Sequence, residues 1–75
     1  MKTLLEVIAK SLVDNPESVE INEVCSEHSI ILELKVDKSD MGKVIGKQGR
    51  IAKAIRTVLK SAGNKENVKV SLEIL

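Results

Sequence analysis

The stretch Val44-Ile45-Gly46-Lys47-Gln48-Gly49-Arg50 interrupts two helical patterns with a pair of glycines, and that break does most to limit what the chain can fold into. Gly46 stops a short helix that runs through Met41, Val44 and Ile45. Gly49 restarts the chain into a longer one, with Ile51, Ile55, Val58, Leu59 and Ala62 facing inward and Ala62-Gly63-Asn64 as its C-cap and turn. A fold built around this segment must bring two helix ends together with bare main chain between them. Glycine there permits backbone angles and close approaches that a side chain would block. The start of the second helix turns unpaired amides and partial positive charge toward the same place, which suits an anion.

The flanking sequence supplies the other elements. Thr3 followed by Glu6 is a capping-box pattern, and Leu4 or Leu5, Ile8 and Leu12 recur at helical spacing, so a first helix is expected over residues 3–14. Asp14-Asn15-Pro16 closes it, because proline biases its predecessor to extended geometry. Val19 to Cys25 reads as a strand, and Ser26-Glu27-His28-Ser29 as a polar turn that leaves His28 at the surface. Ile30, Leu32, Leu34 and Val36 alternate with Ile31, Glu33 and Lys35, a second strand with one buried face and the partner of an antiparallel hairpin. Asp37 and Asp40 read as caps of the short helix rather than metal ligands. Val68, Val70, Leu72 and Ile74 give a final strand of clean period two. The expected order is α-β-β-α-α-β, an α+β fold in a single domain over residues 1–75.

That domain has no Phe, Tyr or Trp, so its core must be aliphatic. A chain of 75 residues buries only about 60% of its unfolded surface, and dimerisation would add useful burial. Cys25 is alone, which rules out an internal disulfide; it is expected as a small buried hydrophobe in a reduced compartment. No Cys/His set exists for zinc, and neither a metal nor a cofactor is expected. The N-terminus meets Glu6 too soon for a signal h-region, and no apolar run approaches the ~18 residues of a membrane span, so a cytoplasmic protein with no membrane partner is expected.

Charge separates along the chain. Residues 38–60 hold Lys38, Lys43, Lys47, Arg50, Lys53, Arg56 and Lys60 against Asp40 alone, a net of +6, while the remainder carries −5. One face is built to meet an anion.

The helix-loop-helix sequence Val44-Ile45-Gly46-Lys47-Gln48-Gly49-Arg50-Ile51-Ala52-Lys53-Ala54-Ile55, set within that element order, resembles the type II K-homology (KH) domain. The family pattern is close to Ile-Ile-Gly-x-x-Gly-x-x-Ile-x-x-Ile. Ala52 departs from it, which leaves the groove floor shallower or filled by Ile51. The likeness spans essentially the whole chain, and length and N-terminal helix are similar to the KhpA-type family of small bacterial RNA-binding proteins. It implies a three-stranded sheet covered on one face by three helices, and a cytoplasmic RNA chaperone. It also implies pairing with itself or with a larger KhpB-type (Jag/EloR) partner, in a pair tied to cell elongation and shape.

On this reading the nucleic-acid-binding residues are Lys43, Val44, Ile45, Gly46, Lys47, Gln48, Gly49, Arg50, Ala52 and Lys53. Gly46 and Gly49 admit the backbone, Lys47 pairs with a phosphate, and Gln48 donates to phosphate or sugar. Lys43, Lys53 and Arg56 extend the positive track. Val44, Ile45 and Ala52 wall or floor an aliphatic groove, and the edge of the strand from Ile30 to Val36 is expected to hydrogen-bond to bases. KH loops clamp about four nucleotides in this way. Without aromatic rings to stack on bases, binding should be weak, salt-sensitive and loosely selective. The residues themselves do not separate RNA from DNA. Enzyme readings fail: Gly42-x-x-x-Gly46-Lys47-Gln48 is one residue short of a phosphate-binding P-loop and lacks its hydroxyl, and one histidine in a turn assembles no catalytic triad. The competing reading is a KH-like module that works mainly by pairing with another protein through the helix from Arg50 to Ala62.

Overall fold

A computed structural model describes every residue from Met1 to Leu75. The elements are α1 (Lys2–Leu12), β1 (Glu20–Cys25), β2 (Ser29–Lys35), α2 (Met41–Ile45), α3 (Arg50–Lys65) and β3 (Lys69–Ile74), with 3₁₀ turns at Pro16–Ser18, Lys38–Asp40 and Lys47–Gly49. The three strands form one sheet in the order β1-β2-β3. β1 runs antiparallel to β2, with Asn22 opposite Glu33, and β3 runs parallel to β2, with Leu32 beside Leu72.

Period-two patterning decides which face of this sheet is covered. Leu32, Leu34, Val36, Val70 and Leu72 point inward and meet Leu5, Ala9 and Val13 from the first helical segment, Val44 from α2, and Ile55 and Leu59 from α3. This cluster is wholly aliphatic. Burying such side chains contributes roughly 1.5–3 kcal/mol each.

Several boundaries differ from expectation, each for a physical reason. The capping box does not form: α1 starts at Lys2, so Thr3 lies inside its first turn, and Glu6 accepts instead from Lys10 Nζ at 3.3 Å. The helix ends at Leu12, because Val13 turns extended to reach the core. α3 runs through Gly63 to Lys65 rather than ending there. Gly63 is a packing site: a Cβ on it would lie 2.6 Å from the Val68 carbonyl oxygen and from a Val70 methyl. Val58, expected inward, is 46% exposed.

Cys25 is exposed, not buried. It sits on the outer strand, where only Ile21 is partly tucked under the helices. Partial desolvation and the nearby Glu23 carboxylate push its thiol above the usual range.

The strand expected to offer a free edge does not have one. β2 is central and paired on both sides, so the open edge next to α3 belongs to β3.

Candidate nucleic-acid interface

α2 has only five residues, too few to hold a helix on propensity alone. Two points fix it: Val44, fully buried in the core, and Asp40, which is buried just before its first turn. The chain then leaves the core at Gly46 and returns at Ile51.

The two glycines do different work. Gly46 has φ 76° and ψ 174°, and a Cβ there would lie 2.6 Å from Ile51 Cγ1. Ile51 folds back over it, so Gly46 lets α3 pack close against α2. Gly49 is left-handed at φ 73°, and nothing stands within 4 Å of where its Cβ would be. The open approach to the main chain is therefore at Gly49.

Between them Gln48 is also left-handed (φ 56°, ψ 25°), a conformation that costs a non-glycine residue roughly 1–2 kcal/mol. The Gly49 amide donates to the Gly46 carbonyl at 3.1 Å and closes the turn. The Arg50 amide likewise donates to the Lys47 carbonyl, so both amides are engaged inside the turn, and the left-handed Gly49 leaves its main chain open to approach at the start of α3. Lys47 and Gln48 stand exposed at the tip. Arg50 is exposed beside them, with only a marginal 3.5 Å contact to Gln48 Oε1.

α3 divides into three lengthwise strips. Ala52, Ile55, Leu59 and Gly63 form the buried one. Ile51, Ala54 and Val58 face Ile8 and Leu12 of α1 across an apolar groove of about 370 Å³. Lys53, Arg56 and Lys60 recur three and four residues apart on the opposite flank, toward the free edge of β3. There Arg56, Leu59 and Lys60 share a cleft of about 240 Å³ with Lys69, Val70, Ser71 and Leu72. None of Lys47, Arg50, Lys53, Arg56 or Lys60 is in an ion pair.

The structure thus gathers Gly46, Lys47, Gln48, Gly49, Arg50 and Lys53 into one exposed basic corner. It separates the rest of the predicted set from that corner. Val44 is fully buried and Ala52 is 4% exposed, so both are core residues and neither forms an open wall or floor. Ile45 is half-buried against the core. Lys43 is not a free cation: its ammonium bridges Asp14 and Asp40, and those hydrogen bonds, Asp14 first, hold its pKa above the ordinary lysine value.

Asp40 is the larger surprise. Its side chain is 1% exposed and caps nothing. Oδ2 accepts from the Asn15 amide at 3.0 Å and from Asn15 Nδ2 at 3.1 Å; Oδ1 accepts from the Asp14 amide at 3.2 Å and from Lys43 Nζ at 3.3 Å. Burial alone would raise this carboxyl, but the four donors outweigh it and hold its pKa below the ordinary value. Sequence reading also missed Lys69, which lies outside the basic segment and reaches the cleft only through the parallel pairing of β3 with β2. No group of three His, Cys, Asp or Glu side chains gathers in a way that could hold a metal ion.

Against known proteins, the chain matches the family described as KhpA/KhpB, KH domain, over residues 2–74. It is 72% identical to the RNA-binding protein KhpA of Clostridium perfringens, over the whole of both chains. It is 60% identical to that of Caldanaerobacter subterraneus, again over the whole of both. With the Aquifex aeolicus protein of the same name it shares 49% identity, over all of this chain and 95% of the other.

Proposed function

The chain belongs to the KhpA/KhpB KH-domain family, and on that premise we propose that it grips single-stranded RNA by its backbone at residues 46–49. The observation that carries the reading is the exposed turn with three left-handed or glycine-only positions, open main chain at Gly49, and unpaired cations on either side. A phosphate sits against the open main chain at Gly49, at the N-terminal end of α3, with Lys47 and Arg50 beside it. The strand then follows Lys53, Arg56 and Lys60 along α3, and bases turn toward the free edge of β3, into the cleft that Arg56 and Lys60 share with Lys69 and Ser71. Preference for RNA over DNA rests on the relatives' name, since the group that tells them apart is the 2′-hydroxyl.

With no aromatic side chain, the site holds backbone and reads bases weakly. A weak, loosely selective hold leaves bases free to re-pair, which is what an RNA chaperone requires. The protein is a cytoplasmic binding protein on this reading, not a catalyst; no helix is long and apolar enough to cross a membrane.

A second role is favoured by the opposite flank of α3. The groove between Ile8, Leu12, Ile51 and Val58 adjoins a shallow apolar depression at Met1, Leu4, Val58 and Ala62. This face suits pairing with a second copy or with a KhpB-type chain. The groove reaches Arg50 at the start of α3, so RNA and partner would approach one helix from different sides and meet there, and a pair presents two weak clamps together.

The test is Lys47→Asp with Gln48→Asp, two negative charges in the anion seat with the core untouched. RNA affinity should fall at least roughly tenfold, and wild-type log K against log salt should slope by about −2 to −3 for three or four phosphates. Unchanged affinity would leave the pairing role as the function.

A further inference from the structure

We infer that Asp40 is a positioning residue for the phosphate-binding turn: it fastens the chain after α1 to the start of α2 and so sets the direction in which residues 46–49 leave the core. The inference deepens the RNA-binding reading and rests on it for its consequence, though not for its geometry.

Asp40 is the one charged residue buried in the protein. All four of its partners are donors, two backbone amides, a carboxamide nitrogen and an ammonium, so an acceptor-only group is required. Three of those donors belong to Asp14 and Asn15, 26 and 25 residues away in sequence. The short α2 therefore hangs between Val44 on its inner face and this lock at its N-terminus. Its C-terminus leads straight into Gly46, and the turn itself is exposed at Lys47 and Gln48. A change in the tilt of α2 bears on the turn through Gly46, whose amide donates to the Gly42 carbonyl of α2 and whose carbonyl accepts from Gly49. Lys43 closes the outer side of the lock, bridging Asp14 and Asp40, and serves geometry rather than phosphate charge. Supporting groups of this kind determine whether a site keeps its productive shape.

Asp40→Asn replaces one acceptor oxygen with a donor and opposes it to donors already in place. Asn15→Ala removes a single side-chain donor and keeps both backbone amides, so it tests the same lock should the first variant fail to fold. Lys43→Met removes the outer cation and keeps the stem. Each is compared with wild type well below its melting temperature, by binding of a short single-stranded oligouridylate over a salt series and by amide hydrogen exchange of the free protein. Affinity is expected to fall roughly fivefold in Asp40→Asn and less in the other two, within the range that residues remote from a ligand impose through packing. The salt slope should stay at the wild-type value in all three, whereas Lys47→Met should make it shallower by about 0.7. Exchange at Gly46 to Arg50 should speed up.

Unaltered exchange at those amides, or unaltered affinity in folded Asn15→Ala and Lys43→Met, overturns the positioning role. A shallower slope in Lys43→Met makes Lys43 a phosphate contact and overturns it too. Exchange needs no RNA: if wild type ignores the oligonucleotide while exchange responds, the RNA reading fails and the lock stands.

Discussion

At the scale of single residues, the Gly-x-x-Gly pattern holds two glycines for two reasons. Gly46 is required by Ile51, which occupies the space where its Cβ would be; Gly49 is required by its left-handed φ alone. Gly46→Ala should therefore cost roughly 2–4 kcal/mol in urea denaturation, from backbone strain plus overlap, and Gly49→Ala roughly 1 kcal/mol. Equal losses would contradict the distinction. Both glycines were legible from the sequence, but their division of labour was not, because only the folded chain shows which neighbour returns to which Cα. Asp40 was misread for a similar reason. An Asp before a helix reads as a cap, and nothing local announces donors from Asp14 and Asn15. Its pKa lies below the unfolded carboxylate value, so its contribution to stability is present above roughly pH 4 and is lost as pH falls through the folded value. In thermal melts, Asp40→Asn should be less stable than wild type at neutral pH, and the gap should narrow on acidification below roughly pH 4. A constant gap would assign the loss to shape rather than charge.

At the scale of elements, patterning identified all three helices and all three strands. Strand periodicity and helix spacing report which face is buried, and those are local properties. The order of strands in the sheet is not local, and the expectation of a free edge on β2 failed on that point. The boundary of α3 failed because glycine is ordinarily a stop, whereas Gly63 stays helical to let β3 cross it closely. α3 also shows why charge counting alone is blunt. Of the seven basic residues between 38 and 60, Lys43 is spent in the lock, while Lys53, Arg56 and Lys60 form the flank beside β3. On the proposed path, replacing both Arg56 and Lys60 by Ala should shallow the salt slope of RNA binding by about 1.4 without altering the fold by circular dichroism. An unchanged slope would place the strand on another face.

At the scale of the whole molecule, the chain sorts its surface by topology. Basic side chains line the loop and one flank of α3, apolar ones the other flank, and the far face of the sheet shows Asn22, Glu33 and Glu73 side by side. That arrangement makes the two proposed roles separable by mutation. Val58→Asp, at an exposed position between the two apolar depressions, should reduce self-association in sedimentation while leaving the salt slope per protomer unchanged. Loss of both together would mean that the RNA site is completed by pairing. The central claim is that a nucleic-acid strand seats its phosphates against the open main chain at Gly49, between Lys47 and Arg50, and runs toward the edge of β3. Titrating single-stranded RNA into isotope-labelled protein, with amide shifts followed by NMR, tests it most directly. The largest shifts should fall at residues 46–50, with a second group along residues 69–74. Shifts concentrated on α1 or on the outer strand β1, with residues 46–50 unmoved, would contradict it.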